Sequence, residues 1–300
     1  MWLVFAFSGP VLWAISVHLD KYLVNRYFAR SSVAVLLVFT ALFGLLALPV
    51  IFAFWPAAIG LAPGGAALLA LSGLLYMTAI FFYLQALQSE EASVVAPFFQ
   101  AAPLFGYVLA YFVLGERLTA LQMQGGALIV AGAGLLSVGL GGRRAFKGRL
   151  VALMLACAFA LAWTGLIFKL YAVRDAFWTA TFWAFVGQAL FGALLLAIPR
   201  YRREFLALLR ADPVPVLAIS GVNELINLGG ILGARYALLF APLSLVQAIG
   251  STTSLFVFAI GAAVSASNPA LGREDLSAGN LAQKAAAAVL VAVGAMLINW

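Results

Sequence analysis

Apolar runs of about 20 residues recur along this chain, and few folds can accept them. VAVLLVFTALFGLLALPVIFAF at 33–54 is one such run, without a single charge. A lipid-facing backbone must satisfy its own hydrogen bonds, so such a run spans as a helix or joins a closed barrel. Membrane barrels are written as ten-residue segments of alternating polarity, a pattern missing here. Composition agrees with the helical choice. The 300 residues are 65% hydrophobic and 9% charged, with mean hydropathy +1.10, against about 45–50% and ~25% for soluble domains. The chain reads as an all-α polytopic membrane protein.

Ten transmembrane helices are expected, at 2–22, 32–54, 65–88, 93–114 and 119–140, then 149–171, 177–199, 213–234, 237–264 and 279–299. Connections are marked by Pro, Gly or charge, as in WPAAIGLAPGG at 55–65, GGRRAFKGR at 141–149 and RYRREFLALLRADPVP at 200–215. None is long enough for a separate soluble domain. The start, MWLVFAFSGP, lacks the basic leader of a cleavable signal peptide, so the first helix is expected to be retained.

The two halves repeat. Laying 1–142 against 149–300, with 143–148 as the connection, sets Trp13 opposite Trp163 and LFG at 42–44 opposite LFG at 190–192. LSG at 71–73 then meets ISG at 219–221, Gln100 meets Gln247, and LGERLTA at 114–120 meets LGREDLSA at 271–278. Five spans per half is an odd number, so the second half enters the membrane inverted. Inverted repeats are a mark of secondary transporters, whose sites lie near the midplane where the halves meet.

APFFQAAPLFGYVLAYFVLGERLTALQMQGGALIVAGAGLLSV at 96–138 resembles the fourth and fifth helices of the EamA branch of the drug/metabolite transporter superfamily. A Pro-containing helix, an LGE-R-L-T turn and a glycine-rich helix carry the likeness. Glu116 stands at the turn glutamate, and Glu274 takes its place in the second copy. The resemblance implies two inverted five-helix repeats and a carrier of small organic metabolites, often an exporter of amino acids or similar solutes.

Charge gives an orientation. Of 17 Lys and Arg, 13 lie in the loops after the first, fifth, seventh and ninth helices. The positive-inside rule then places both termini outside, whereas members of the resembling family are usually drawn with both termini inside.

The net charge of +7 is spread through short loops, so it reads membrane orientation and not nucleic acid. Cys157 is the sole cysteine and excludes an internal disulfide. G-x-S-x-G, HExxH, Walker and CxxC patterns are all missing. No enzyme activity, cofactor or metal is therefore expected, and the driving force should be an ion or solute gradient.

Glu224 is the residue that most needs explaining, because it falls mid-span, where a charge costs about 2.5–3.5 kcal/mol. Ser220, Asn223, Glu224 and Asn227 follow helical spacing and form one polar face. Such a face belongs against protein or water. Glu224 is thus a candidate proton-coupling carboxylate or partner for a substrate amine; the bland alternative is a buried bond between helices.

Gln100 and Gln247 are candidate cavity walls, Tyr76 and Tyr83 share a face of the third helix, and Trp13 and Trp163 are candidate stacking surfaces. Packing and interfacial anchoring are the competing roles for these aromatics. Lys169 and Lys21 could meet a substrate carboxylate, snorkel to the interface or, for Lys21, pair with Asp20. Glu90 and Glu91 read as loop residues in water, and His18 stands alone.

The expected function is secondary active export of small organic metabolites such as amino acids, by alternating access and with proton coupling. The partners are a small solute, the bilayer and protons, in a monomer of a bacterial inner membrane. The alternative is a flippase for an amphipathic or lipid-linked substrate.

Overall fold

The computed structural model describes residues 2–28, 31–114, 119–137, 147–172, 177–211, 213–237, 249–250, 252–267 and 277–298. Within them the chain is helical, with no strand among the described residues. We number the helices α1 (Trp2–Arg26), α2 (Val33–Phe54), α3 (Pro63–Ser89), α4 (Ala92–Val95), α5 (Ala101–Leu114) and α6 (Ala120–Ser137). Then come α7 (Gly148–Ala172), α8 (Phe177–Ala197), α9 (Pro199–Ala211), α10 (Pro213–Ala237), α11 (Thr253–Ser267) and α12 (Ala278–Ile298). Seven segments among the described residues are long and apolar enough to cross a membrane.

Three elements depart from expectation. The span expected over 93–114 is broken: a single turn, α4, passes into a 3₁₀ stretch at Ala96–Gln100 before α5 begins. Pro97 stands at the start of that stretch, where it has no N–H to give an α-helical ladder. The connection at 200–215 is largely a helix, α9. Its Phe205 is buried and Leu208 and Leu209 pack inward on the same face, while Arg202, Arg203 and Arg210 stay exposed. That pattern is an amphipathic surface helix. Finally, α1 runs to Arg26, one turn beyond its expected end.

Pairs of helices hold the bundle together. α1 lies against α10 and α7 against α3; α2 meets α8 and α6 meets α12; α5 packs on α7 and α11 on α1. Without a hydrophobic force between helices in lipid, small residues decide how closely they approach. A Cβ at Gly73 would run into the Ala184 carbonyl, and one at Gly187 into the Ala70 carbonyl. The α3–α8 seam is therefore closed backbone to backbone. α2 and α10 touch only sparingly, and space remains between them. Outside, Phe54, Phe112, Val214 and Leu225 are exposed, as a lipid belt requires.

Lysines fasten one end of the bundle. Lys21 Nζ donates to the Leu87 and Glu90 carbonyls at 2.5 and 2.6 Å, satisfying the end of α3. Lys147 pairs with Glu90 at 2.6 Å, and the buried Lys284 of α12 pairs with Glu91. The two glutamates thus join separate parts of the chain instead of standing in water. At the same end, Glu204 Oε2 of α9 accepts the Ser32 N–H at 2.9 Å, beside the N-terminus of α2.

Candidate functional site

The space beside the α2–α10 contact is a chamber of ≈ 40 Å³. By that measure a water needs about 10–15 Å³, so roughly three or four waters fit and an amino acid does not. Four helices wall it. α10 supplies Ser220, Asn223, Glu224 and Asn227, all four residues of the polar face. Their neighbours Val222 and Leu225 turn outward and are exposed, so the 3.6-residue period sorts this helix into a wet side and a lipid side. α2 contributes Leu36 and Thr40, and α3 contributes Tyr76, Ile80 and Leu84. α1 adds Ser16, Leu23 and a second carboxylate, Asp20.

Both Asp20 oxygens are engaged. Tyr83 donates its hydroxyl to Oδ2 at 2.9 Å, and Asn223 donates Nδ2 to Oδ1 at 2.7 Å. Thr40 lies beside the Glu224 carboxyl, and Asn227 beside the Tyr76 hydroxyl. Two polar atoms remain buried and unpartnered: Ser220 Oγ, a hydroxyl that can donate or accept, and Asn223 Oδ1. Since Nδ2 of Asn223 is committed to Asp20, its Oδ1 can only accept. The chamber thus presents carboxylates, an unpaired amide acceptor and an unpaired hydroxyl, and no Lys or Arg lines it.

Of the residues singled out in the sequence, Glu224, Asn223, Asn227 and Tyr76 line this chamber, and Tyr83 reaches it through Asp20. The others stand elsewhere. Trp13 packs on Gly230 in the α1–α10 contact. Trp163 sits in an apolar cluster with Phe105, Leu109 and Leu166. Gln100 ends the 3₁₀ stretch and is not in the chamber lining. Gln247, Glu116 and Glu274 lie outside the described residues, as does the side chain of Lys169, which is on α7. Among the described residues no group of three His, Cys, Asp or Glu could hold a metal ion. His18 Nε2 instead meets the Val257 carbonyl at 2.8 Å.

Asp20 is the site residue that sequence reasoning missed as such. With the first span expected to end at 22, it looked like an interfacial neighbour of Lys21. The extra turn of α1 draws it inward. The usable signal was the spacing Ser16, Asp20, Leu23, which marks one helical face.

Residues 1–138, which contain α1 to α6 and hence Asp20, Thr40, Tyr76 and Tyr83, match the EamA-like transporter family. The match covers somewhat less than half of the 300 residues. EamA proteins form a branch of the drug/metabolite transporter superfamily, so this part of the chain is similar to membrane transporters of that type. The EamA portion supplies three of the four chamber helices, and the fourth, α10, lies beyond it. No curated protein matches the chain. One solved crystal structure of a protein is similar over 97% of this chain and 95% of its own, with TM-score 0.57 and 17% identity. At that identity the likeness shows the fold alone.

Proposed function

We propose that this protein is a secondary transporter that exports small organic metabolites by alternating access and couples their movement to protons at Asp20 and Glu224. The observation that carries this reading is the shared chamber. Two intramembrane carboxylates from different helices face one small polar space, and ionisable groups placed at that depth mark ion and substrate pathways. The groups around them are few. α3 presents Tyr76 and Tyr83, α7 places the buried Cys157 near both, and α2 and α10 add only neutral polar side chains. On α1, His18 and Lys21 bond to the carbonyls named above.

The architecture proposed with it is ten spans in two inverted five-helix units, 1–142 and 149–300, joined by 143–148. The helix contacts support it. With α7, α8, α10, α11 and α12 as the second set, exchanging the halves turns α1–α10 into α7–α3 and α5–α7 into α11–α1. It returns α2–α8 and α6–α12 to themselves. Among the main helix pairs one breaks the rule: α3–α8 is tight and its counterpart, α10–α2, is loose and borders the chamber. In alternating access the two seams would trade states, opening α3–α8 as α2–α10 closes. A monomer in a bacterial inner membrane suffices. The flippase alternative draws no support from a chamber without a basic lining residue.

The test is accumulation of a radiolabelled metabolite mixture in proteoliposomes under an imposed pH gradient. Accumulation should require the gradient, and Glu224→Gln should abolish it while sparing counterflow exchange. Normal accumulation by Glu224→Gln from pH 5 to 8 would remove the coupling role.

A further inference from the structure

We infer that the group entering the chamber is the ammonium head of an organic amine without a carboxylate, held between Asp20 and Glu224. This rests on the transport reading and narrows its substrate class from metabolites in general to cationic amines. Tyr83 and Asn223 each spend a donor on Asp20, and Thr40 stands beside Glu224. Left over are Asn223 Oδ1 and Ser220 Oγ, on residues 6% and 3% exposed. Buried polar atoms in native proteins nearly always have partners, so Asn223 Oδ1 is a place kept for a donor, and the Ser220 hydroxyl beside it can accept a second. A primary ammonium brings three N–H donors and one positive charge. It can donate to Asn223 Oδ1 and to the Ser220 hydroxyl, and it meets carboxylates already walling the space.

Size and charge sharpen the choice. An ammonium head fits within ≈ 40 Å³; a complete amino acid does not. A zwitterion would also have to desolvate its carboxylate beside two acidic groups, with no Lys or Arg in the lining to receive it. The apolar body of an amine has a different place to go. The loosely packed α2–α10 seam adjoins the head site, and Leu36, Ile80 and Leu84 provide an apolar wall.

The experiment uses the full chain purified in detergent and matched pairs that differ by one carboxylate: isoamylamine against leucine, and 2-phenylethylamine against phenylalanine. Each is titrated while thermal stability and proton release into a weakly buffered medium are followed. The amines should raise the melting temperature and release protons. The amino acids should bind at least roughly tenfold more weakly, about 1.4 kcal/mol. Asp20→Asn and Glu224→Gln, both close in shape to the native side chain, should each abolish proton release and amine stabilisation. Stabilisation by leucine or phenylalanine equal to that by their amines would overturn the inference. So would stabilisation by sodium ions alone, or unchanged amine binding in both variants. Amine binding without gradient-driven transport would support the inference and sink the transport reading. Gradient-driven accumulation of an amino acid, with no amine binding, would do the reverse.

Discussion

Asn223 on α10 donates its amide to Asp20 on α1 at 2.7 Å. That bond crosses a contact where a Cβ on Gly230 would stand only 2.8 Å from Trp13 Nε1. α1 and α10 therefore meet through a packed stretch and a polar one, and the chamber begins at the polar one.

Asp20 should separate stability from transport. Asp20→Ala leaves the Tyr83 hydroxyl and the Asn223 amide without their acceptor, and each orphaned donor costs about 1–3 kcal/mol. Asp20→Asn keeps the shape and one of the two acceptors, and the Tyr83 hydroxyl can turn to accept from the new amide. In detergent, the Ala variant should melt well below wild type and the Asn variant near it. Both should lose gradient-driven accumulation. An Asn variant that transports like wild type would make Asp20 a structural residue only.

The α3–α8 seam makes a second prediction. Gly73→Ala forces its methyl against the Ala184 carbonyl, and overpacking of this kind costs roughly 1–3 kcal/mol, occasionally more. Gly64 at the start of α3 has open space around it. Gly64→Ala should be neutral or slightly stabilising, because alanine restricts the unfolded chain. Thermal denaturation of the two variants side by side checks this, and equal melting temperatures would count against the seam.

Much of the bundle was legible because lipid imposes a severe rule on sequence. Long uncharged runs announced most of the spans, and Glu224 stood out because it interrupts one of them. Asp20 was hidden for the opposite reason. Beside Lys21 and Arg26 it looked like loop chemistry, and only the extra turn of α1 brings it into the chamber. α9 was masked by its own arginines, which obscured the inward spacing of Phe205, Leu208 and Leu209. The pairing of Glu90 and Glu91 with Lys147 and Lys284 was beyond reach, since it joins residues 57 and 193 positions apart.

Those ion pairs predict coupling. Lys284 is buried, and its partner Glu91 retains 28% exposure, so the pair is only partly desolvated. A double-mutant cycle of Lys284→Met and Glu91→Gln should give a coupling energy of about 0.5–3 kcal/mol. Additive effects would show that the contact contributes nothing to holding α12 against the α3–α4 corner.

Glu204 predicts a pH dependence outside the membrane. The Ser32 N–H, and then the Arg200 side chain, hold its carboxyl below the usual value, about 4.3 in an unfolded chain. A carboxyl lowered by folding stabilises the fold above its unfolded value and loses that contribution as pH falls through its folded value. Wild type should therefore melt higher than Glu204→Gln at pH 7. The gap should narrow as pH drops below about 4.3. A gap that widens on acidification would reverse the assignment.

The most direct test of the account is infrared difference spectroscopy of the carboxyl stretch, recorded in lipid as the pH is lowered, in H₂O and then D₂O. If Asp20 and Glu224 share a wet, proton-exchanging chamber, protonated-acid bands should appear and shift promptly in D₂O. One component should vanish in Asp20→Asn and another in Glu224→Gln. Bands that ignore D₂O, or that survive in both variants, would contradict it.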